Sequence, residues 1–118
     1  MEKSDVAGWI EGYIQAWNSN DPQQIGGLFA EQAAYYTGPW EQPWQGRQGI
    51  VDGWLERKDD PGSFNFRYEV LAADGDTGVV LGWTEYPVSE RTYSNLWVIR
   101  FDNKGQALEF TEWFMRKK

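Results

Sequence analysis

The sequence predicts an α+β domain, with three N-terminal helices packed on one face of a strongly curved antiparallel sheet. Three observations carry this. Up to about residue 57 apolar side chains recur at helical spacing. From Phe64 onward the period changes to two. Finally, eight tryptophans in 118 residues supply more flat apolar surface than so small a core needs. The domain is therefore expected to line a cavity rather than fill solid.

Taken in order, Ser4 or Asp5 can cap a first helix running to about Asn18, with Val6, Trp9, Ile10, Tyr13, Ile14 and Trp17 along one stripe. Asn18 to Pro22 punctuates the chain. Asp21 is a good N-cap and Pro22 a good first residue for a short second helix through Ile25, Leu28 and Phe29. Ala33 to Thr37 reads as a short strand. Gly38 to Gly46 is a stiff loop whose Trp40 and Trp44 suggest a rim or lid over apolar space. The third helix runs from about Gln48 to Arg57, turns Ile50, Val51, Trp54 and Leu55 inward, and is ended by Asp59-Asp60-Pro61-Gly62. The strand at Phe64 is followed by Val79–Tyr86, Tyr93–Phe101 and Ala107–Met115. The turns between them are Asp74-Gly75-Asp76, Pro87 to Glu90 and Asp102 to Gly105. Residues 1–118 read as one domain.

The bulk numbers exclude several functions. Eleven Lys and Arg against eighteen Asp and Glu give a net charge of −7. No basic stripe is present, which argues against nucleic acid and against an anionic membrane surface. No cysteine is present, so there is no disulfide framework or thiolate chemistry. No histidine is present either, which removes the commonest base, the commonest metal ligand and the Ser–His and Cys–His pairs. Acid–base work must fall to carboxylates, Tyr, Lys or Arg. No metal or cofactor is implied, because the acids are not clustered at ligand spacing. With no signal-peptide block after Met1–Lys3 and no apolar run of spanning length, a cytoplasmic protein is the expectation.

The chemistry sits on the last two strands. A tight Asp102–Gly105 turn sets Ile99 opposite Leu108, Trp97 opposite Phe110, Asn95 opposite Glu112 and Tyr93 opposite Phe114. A one-residue slip would bury Glu109 and Thr111 instead. An amide and a carboxylate then lie side by side in an aromatic wall, about 5 Å apart at Cβ. A buried carboxylate without partners is costly, so Glu112 should be hydrogen-bonded by Asn95, paired with an Arg, or neutral with a raised pKa. A carboxyl of that kind suits proton transfer. Glu85 follows Val79, Leu81 and Trp83 on one strand face and is a weaker candidate. Arg47, just before the third helix, is the candidate cation to meet an inward carboxylate. Tyr13 and Trp17 lie one turn apart on the first helix.

Several segments carry a likeness in their order and spacing. They are Tyr13 to Asp21, Ile25, Leu28 to Ala30, Pro43 to Gly46, Trp54, Tyr93 to Phe101 and Glu109 to Phe114. Through them the chain resembles the nuclear transport factor 2-like superfamily, in its SnoaL-like branch, over essentially its whole length. The resemblance implies a cystatin-like cone with a pocket at its wide end, and homodimers joined through the outer sheet face. It does not fix an activity, since members include ketosteroid isomerases, polyketide cyclases, dehydratases, epoxide hydrolases and pure binding proteins. The isomerases' helix tyrosine falls on Tyr13. Their general-base aspartate falls on Thr37 and their oxyanion-hole aspartic acid on Trp97, so steroid isomerisation is not carried over. The same match puts Trp97, Phe110, Glu112 and Phe114 on pocket-facing positions.

The expected function is binding of a small, largely apolar organic molecule, with carboxylate-mediated proton transfer of cyclase, isomerase or dehydratase type as its catalytic form. Glu112 would be acid or base, Asn95 would orient it or the substrate, and Tyr13 would donate a hydrogen bond. Trp17, Trp40, Trp44, Trp54, Trp97, Phe110 and Phe114 would shape the cavity. The alternative is a non-catalytic ligand binder, or a homodimerisation protein of the same fold.

Overall fold

The first helix begins slightly earlier than its sequence signals suggest. In the computed structural model, which describes residues 1–118, α1 spans Lys3–Ser19 with Glu2 as N-cap. Asp5 acts from inside the first turn, where its carboxylate accepts the Glu2 amide at 2.7 Å. Asn20 ends the helix in the left-handed region, at φ 54, with its amide bonded to the Ala16 carbonyl. Val6, Trp9, Ile10 and Tyr13 are buried along the predicted stripe, while Trp17 is half-buried.

Asp21 caps α2 (Pro22–Gly27) by accepting the Gln23 amide at 2.8 Å. Leu28 and Phe29 are not part of this helix as expected. Leu28 terminates it, and Phe29 opens β1 (Phe29–Tyr36). The aromatic loop contains a two-residue strand, β2 (Trp44–Gln45), and leads into α3 (Gly46–Glu56). The meander follows as β3 (Asn65–Asp74), β4 (Thr77–Tyr86), β5 (Arg91–Phe101) and β6 (Ala107–Arg116).

All six strands form one sheet, in the order β2-β1-β6-β5-β4-β3. The sheet is mixed, not purely antiparallel, because β1 runs parallel to β6. Hairpins force antiparallel neighbours, but β1 and β6 are far apart in sequence and no tight turn constrains their sense.

The inward face of β4 differs from the sequence expectation. Gly78, Val80, Gly82 and Thr84 are buried, whereas Val79, Leu81, Trp83 and Glu85 share the outer face. Glu85 is exposed and leaves the list of inward carboxylates. The reason is steric. A Cβ at Gly78 would come within 2.9 Å of Val6, and one at Gly82 within 2.6 Å of Phe66. The two glycines admit those side chains against the backbone, so the face richer in large residues turns outward.

The β5–β6 register also differs. Trp97 pairs with Glu112, Ile99 with Phe110, Asn95 with Phe114 and Tyr93 with Arg116. The connection is longer than a tight turn, and the register shifts at a bulge between Arg100 and Phe101. Asp102 holds it, accepting the amides of Lys104 and Gln106 at 2.9 Å each. The slip is two residues, so Asn95, Trp97, Ile99, Phe110, Glu112 and Phe114 keep their predicted face. Leu108, expected opposite Ile99, is instead left unpaired at the bulge and turns outward, 43% exposed.

The packed core occupies one end of this arrangement. Val6, Ile10, Ile25, Phe29, Ile99, Phe101 and Ala107 are all at most 2% exposed. Each large apolar side chain buried there contributes about 1.5–3 kcal/mol. The Trp9 indole N–H, at the same end, donates to the Leu28 carbonyl at 2.9 Å. No helix is long and apolar enough to cross a membrane.

Candidate functional site

At the other end the same elements enclose a cavity of about 540 Å³. α1 contributes Tyr13 and Trp17, β1 Tyr35, β2 Trp44 and α3 Trp54. The meander contributes Thr84, Tyr86, Arg91, Tyr93, Asn95, Trp97, Glu112 and Phe114. Trp44 stacks on Tyr35 with ring centroids 4.8 Å apart. A Cβ at Gly53 would run into the Trp44 indole, so α3 can lie against this wall only because it carries a glycine there.

Glu112 lies directly opposite Trp97 and one diagonal step from Asn95. Its Oε2 accepts both the Trp97 indole N–H at 2.7 Å and the Asn95 amide at 3.0 Å. Oε1 makes no hydrogen bond to the protein and is not sealed from the cavity. Burial pushes the Glu112 carboxyl above the ordinary glutamate value, and the hydrogen bonds from Trp97 and Asn95 only partly oppose this. The Asn95 amide is itself oriented, because the Thr84 hydroxyl donates to its Oδ1 at 2.8 Å, leaving the NH₂ to face Glu112. A buried relay thus runs from Thr84 through Asn95 to Glu112.

The Tyr13 and Tyr35 hydroxyls share a hydrogen bond of 2.7 Å. Burial first, and the neighbouring Glu112 charge among the further causes, push both well above the usual tyrosine range. Both therefore remain O–H groups that donate. A substrate whose carbonyl met this pair while its adjacent C–H met Glu112 would have a base and an oxyanion donor in place.

The mouth carries a second polar cluster. The Asp59 Oδ2 accepts the Trp17 indole N–H at 2.9 Å and the Tyr86 hydroxyl at 2.8 Å. Arg91 donates from Nε to Ser89 and from Nη1 to the Tyr93 hydroxyl. Its guanidinium carbon lies 4.6 Å from the Tyr86 ring centroid.

Of the residues predicted from sequence, Tyr13, Trp17, Trp44, Trp54, Asn95, Trp97, Glu112 and Phe114 all line the cavity. Three expectations are corrected. Trp40 is 95% exposed, because its loop is held to β1 only at Trp44 and Gln45 and swings it into solvent. Phe110 is fully buried beneath the wall, stacked on Tyr13 and Tyr35, and does not reach the cavity. Arg47 donates from Nε to the Phe29 carbonyl at 3.1 Å, away from the cavity. Tyr35, Asp59, Thr84, Tyr86 and Arg91 were missed. Stepping back by two along β5 from Asn95 through Tyr93 reaches Arg91, and the hairpin then sets Tyr86 opposite it. No comparable signal marked Asp59, which read only as part of a helix stop.

Comparison with known proteins agrees with this architecture. No curated protein sequence matches the chain significantly. An NTF-2 like protein of unknown function from Burkholderia xenovorans superposes with a TM-score of 0.75 at 16% identity, over 97% of this chain and 85% of that one. A protein with a cystatin-like fold from Silicibacter pomeroyi matches at TM-score 0.68 and 17% identity, over 91% and 73% of the two chains. An LEH-like epoxide hydrolase from M. tuberculosis matches at TM-score 0.66 and 12% identity, over 95% and 84%. At these identities the likenesses show the fold alone. The model of the SnoaL-like domain matches residues 10–115, nearly the entire sequence, and the chain belongs to that family.

Proposed function

We propose that the cavity binds a small, largely apolar organic molecule and that Glu112 transfers a proton on it, as in a cyclase, isomerase or dehydratase step. One observation carries this reading. Glu112 spends a single oxygen on two neutral donors and leaves the other open toward a cavity walled by rings. A carboxyl kept only for structure would be expected to satisfy both oxygens within the protein. Asn95 and Trp97 are positioning residues, while Tyr13 with Tyr35 forms the hydrogen-bonding pair for a developing oxyanion.

The test needs no knowledge of the natural substrate. β-Tetralone is a flat ketone with exchangeable protons beside its carbonyl, and its deuterium uptake in D₂O can be followed by NMR. The wild-type chain is expected to accelerate uptake, and Glu112→Gln to lose that acceleration by about 10²–10⁴-fold while still binding the ketone. Binding is read by tryptophan fluorescence. Saturable binding without accelerated exchange would leave a non-catalytic binder.

We further propose that two copies join through the outer sheet face. Leu81, Leu96 and Trp113 lie in register across β4, β5 and β6 there, beside Val79 and Val98. Trp113 is 42% exposed and Met115, on the same face, 76%. Contiguous apolar side chains on an outer face favour association. Sedimentation equilibrium at micromolar concentration is expected to give twice the chain mass, and Trp113→Glu to halve it. A monomeric wild type overturns this assignment.

A further inference from the structure

We propose that the ligand is a flat carboxylate, whose anionic end is held at the cavity mouth by Arg91 while its apolar body lies toward Glu112. This rests on the reading of the cavity as a ligand site and names the chemical class that fits it.

The turn from Pro87 to Glu90, with Glu90 at φ 55, sets Tyr86 and Arg91 opposite one another on the inward face. Arg91 is half-buried and fixed by three kinds of contact, all of them neutral. Nε donates to Ser89 at 2.9 Å and Nη1 to Tyr93 at 3.1 Å, and the guanidinium lies over the Tyr86 ring. No carboxylate of the chain takes its hydrogen bonds, and Nη2 donates to no protein group. Asp59, in the same wall, turns its Oδ2 to Trp17 and Tyr86 instead. A guanidinium ordered on neutral partners, with donors left over at a cavity mouth, is preorganised for a carboxylate.

The wider charge pattern points the same way. The lining carries Arg57, Lys58 and Arg91 against Glu41, Asp59 and Glu112, a balanced set on a chain whose net charge is −7. Any protonation of Glu112 tips that balance toward an anion. Length fits as well. Arg91 and Asn95 are four residues apart on one strand face, about 13 Å along β5. A fused bicyclic acid reaches from one toward the other, in a cavity that Trp17, Trp54 and Phe114 also line.

The test compares a naphthoate with the matching naphthamide, which share rings and differ in charge. Titration of the full-length chain, followed by tryptophan fluorescence, is expected to favour the acid by at least about ten-fold, as one charge-assisted pair provides. Raised salt should reduce the ratio. Arg91→Gln is expected to bring it close to unity, and Arg91→Lys, which keeps the charge but loses the planar fork, to an intermediate value. A measurement on the wild-type chain guards against misfolded variants: the Arg91 Nε–H resonance should shift on adding naphthoate and stay in place with naphthamide.

Equal affinities, an Arg91 resonance unmoved at saturation, or a preference lost in Arg57→Gln or Lys58→Gln but kept in Arg91→Gln would each overturn the proposal. Tetralone exchange that persists without any preference for the acid defeats this inference alone. A preference for the acid without tetralone exchange defeats proton transfer and leaves the inference standing. Failure of every probe to saturate defeats both.

Discussion

The two ends of the molecule are built from the same strands and the same first helix, yet one is solid and the other hollow. Along α1 the inward stripe passes from Val6 and Ile10 to Tyr13 and Trp17. Along β5 it passes from Phe101 and Ile99 to Trp97, Asn95, Tyr93 and Arg91, and along β6 from Ala107 to Glu112 and Phe114. The changes fall at one level of the fold. Aliphatic residues and Phe close ranks because they have no polar atom to satisfy. Beyond that level most rings carry N–H or O–H tips, and several of these are tied around the wall: Trp97 to Glu112, Tyr13 to Tyr35, Trp17 and Tyr86 to Asp59. A wall so tied resists collapse inward, which explains how a domain with eight tryptophans keeps a cavity.

Substitutions at the two ends should therefore differ in kind. The largest loss of stability is expected at the solid end, where Phe101→Ala removes a ring that is 2% exposed and costs about 3–5 kcal/mol. Urea denaturation measures it, and a cost near that of an exposed site would show the packed end to be loose. Thr84→Val is next, at about 1–3 kcal/mol, because Asn95 Oδ1 loses its donor. It should also free the Asn95 amide to rotate and so slow tetralone exchange, whereas a purely structural role would move stability only.

Glu112 gives a pH-dependent contrast. Its carboxyl is raised in the folded chain above the ordinary value of 4.5. Between that value and the folded one, the native state holds a proton that the unfolded state has released. The stability linked to this group is thus complete at lower pH and falls as pH rises. Glu112→Gln cannot titrate, so its stability relative to wild type should improve as pH rises above the ordinary value of 4.5. Thermal unfolding across that rise checks this, and a constant difference would show Glu112 to be ordinary. The smallest effect belongs to Trp40→Ala, within about 0.5 kcal/mol, since its ring faces solvent. A clear loss of ligand affinity in that variant would return the loop to the role of a lid.

The Asn95, Trp97 and Glu112 part of the cavity wall was legible in the sequence, because alternation on β5 and β6 fixes which residues share a face even when the pairing is wrong. The two-residue slip left Asn95, Trp97 and Glu112 together. On β4 the alternation is plain but its hydrophobic face points outward, because the inward glycines carry no hydrophobic signal and their value lies in the neighbours they admit. Asp59 was invisible for a related reason. Its partners Trp17 and Tyr86 are 42 and 27 residues away, and no local pattern encodes such a meeting.

The sequence by itself determined the order of the three helices and five long strands, the residues that turn inward on β5 and on most of β6, and a composition without histidine or cysteine, which leaves a carboxylate as the candidate acid–base group. These follow from periodicity and composition, which are local properties. The tertiary structure decided the parallel pairing of β1 with β6, the outward position of Glu85 and Trp40, the burial of Phe110 and the separation of Arg91 from every carboxylate partner. Each of these depends on which distant surface fills the space beside a residue, and that is settled only when the whole sheet closes around the first helix.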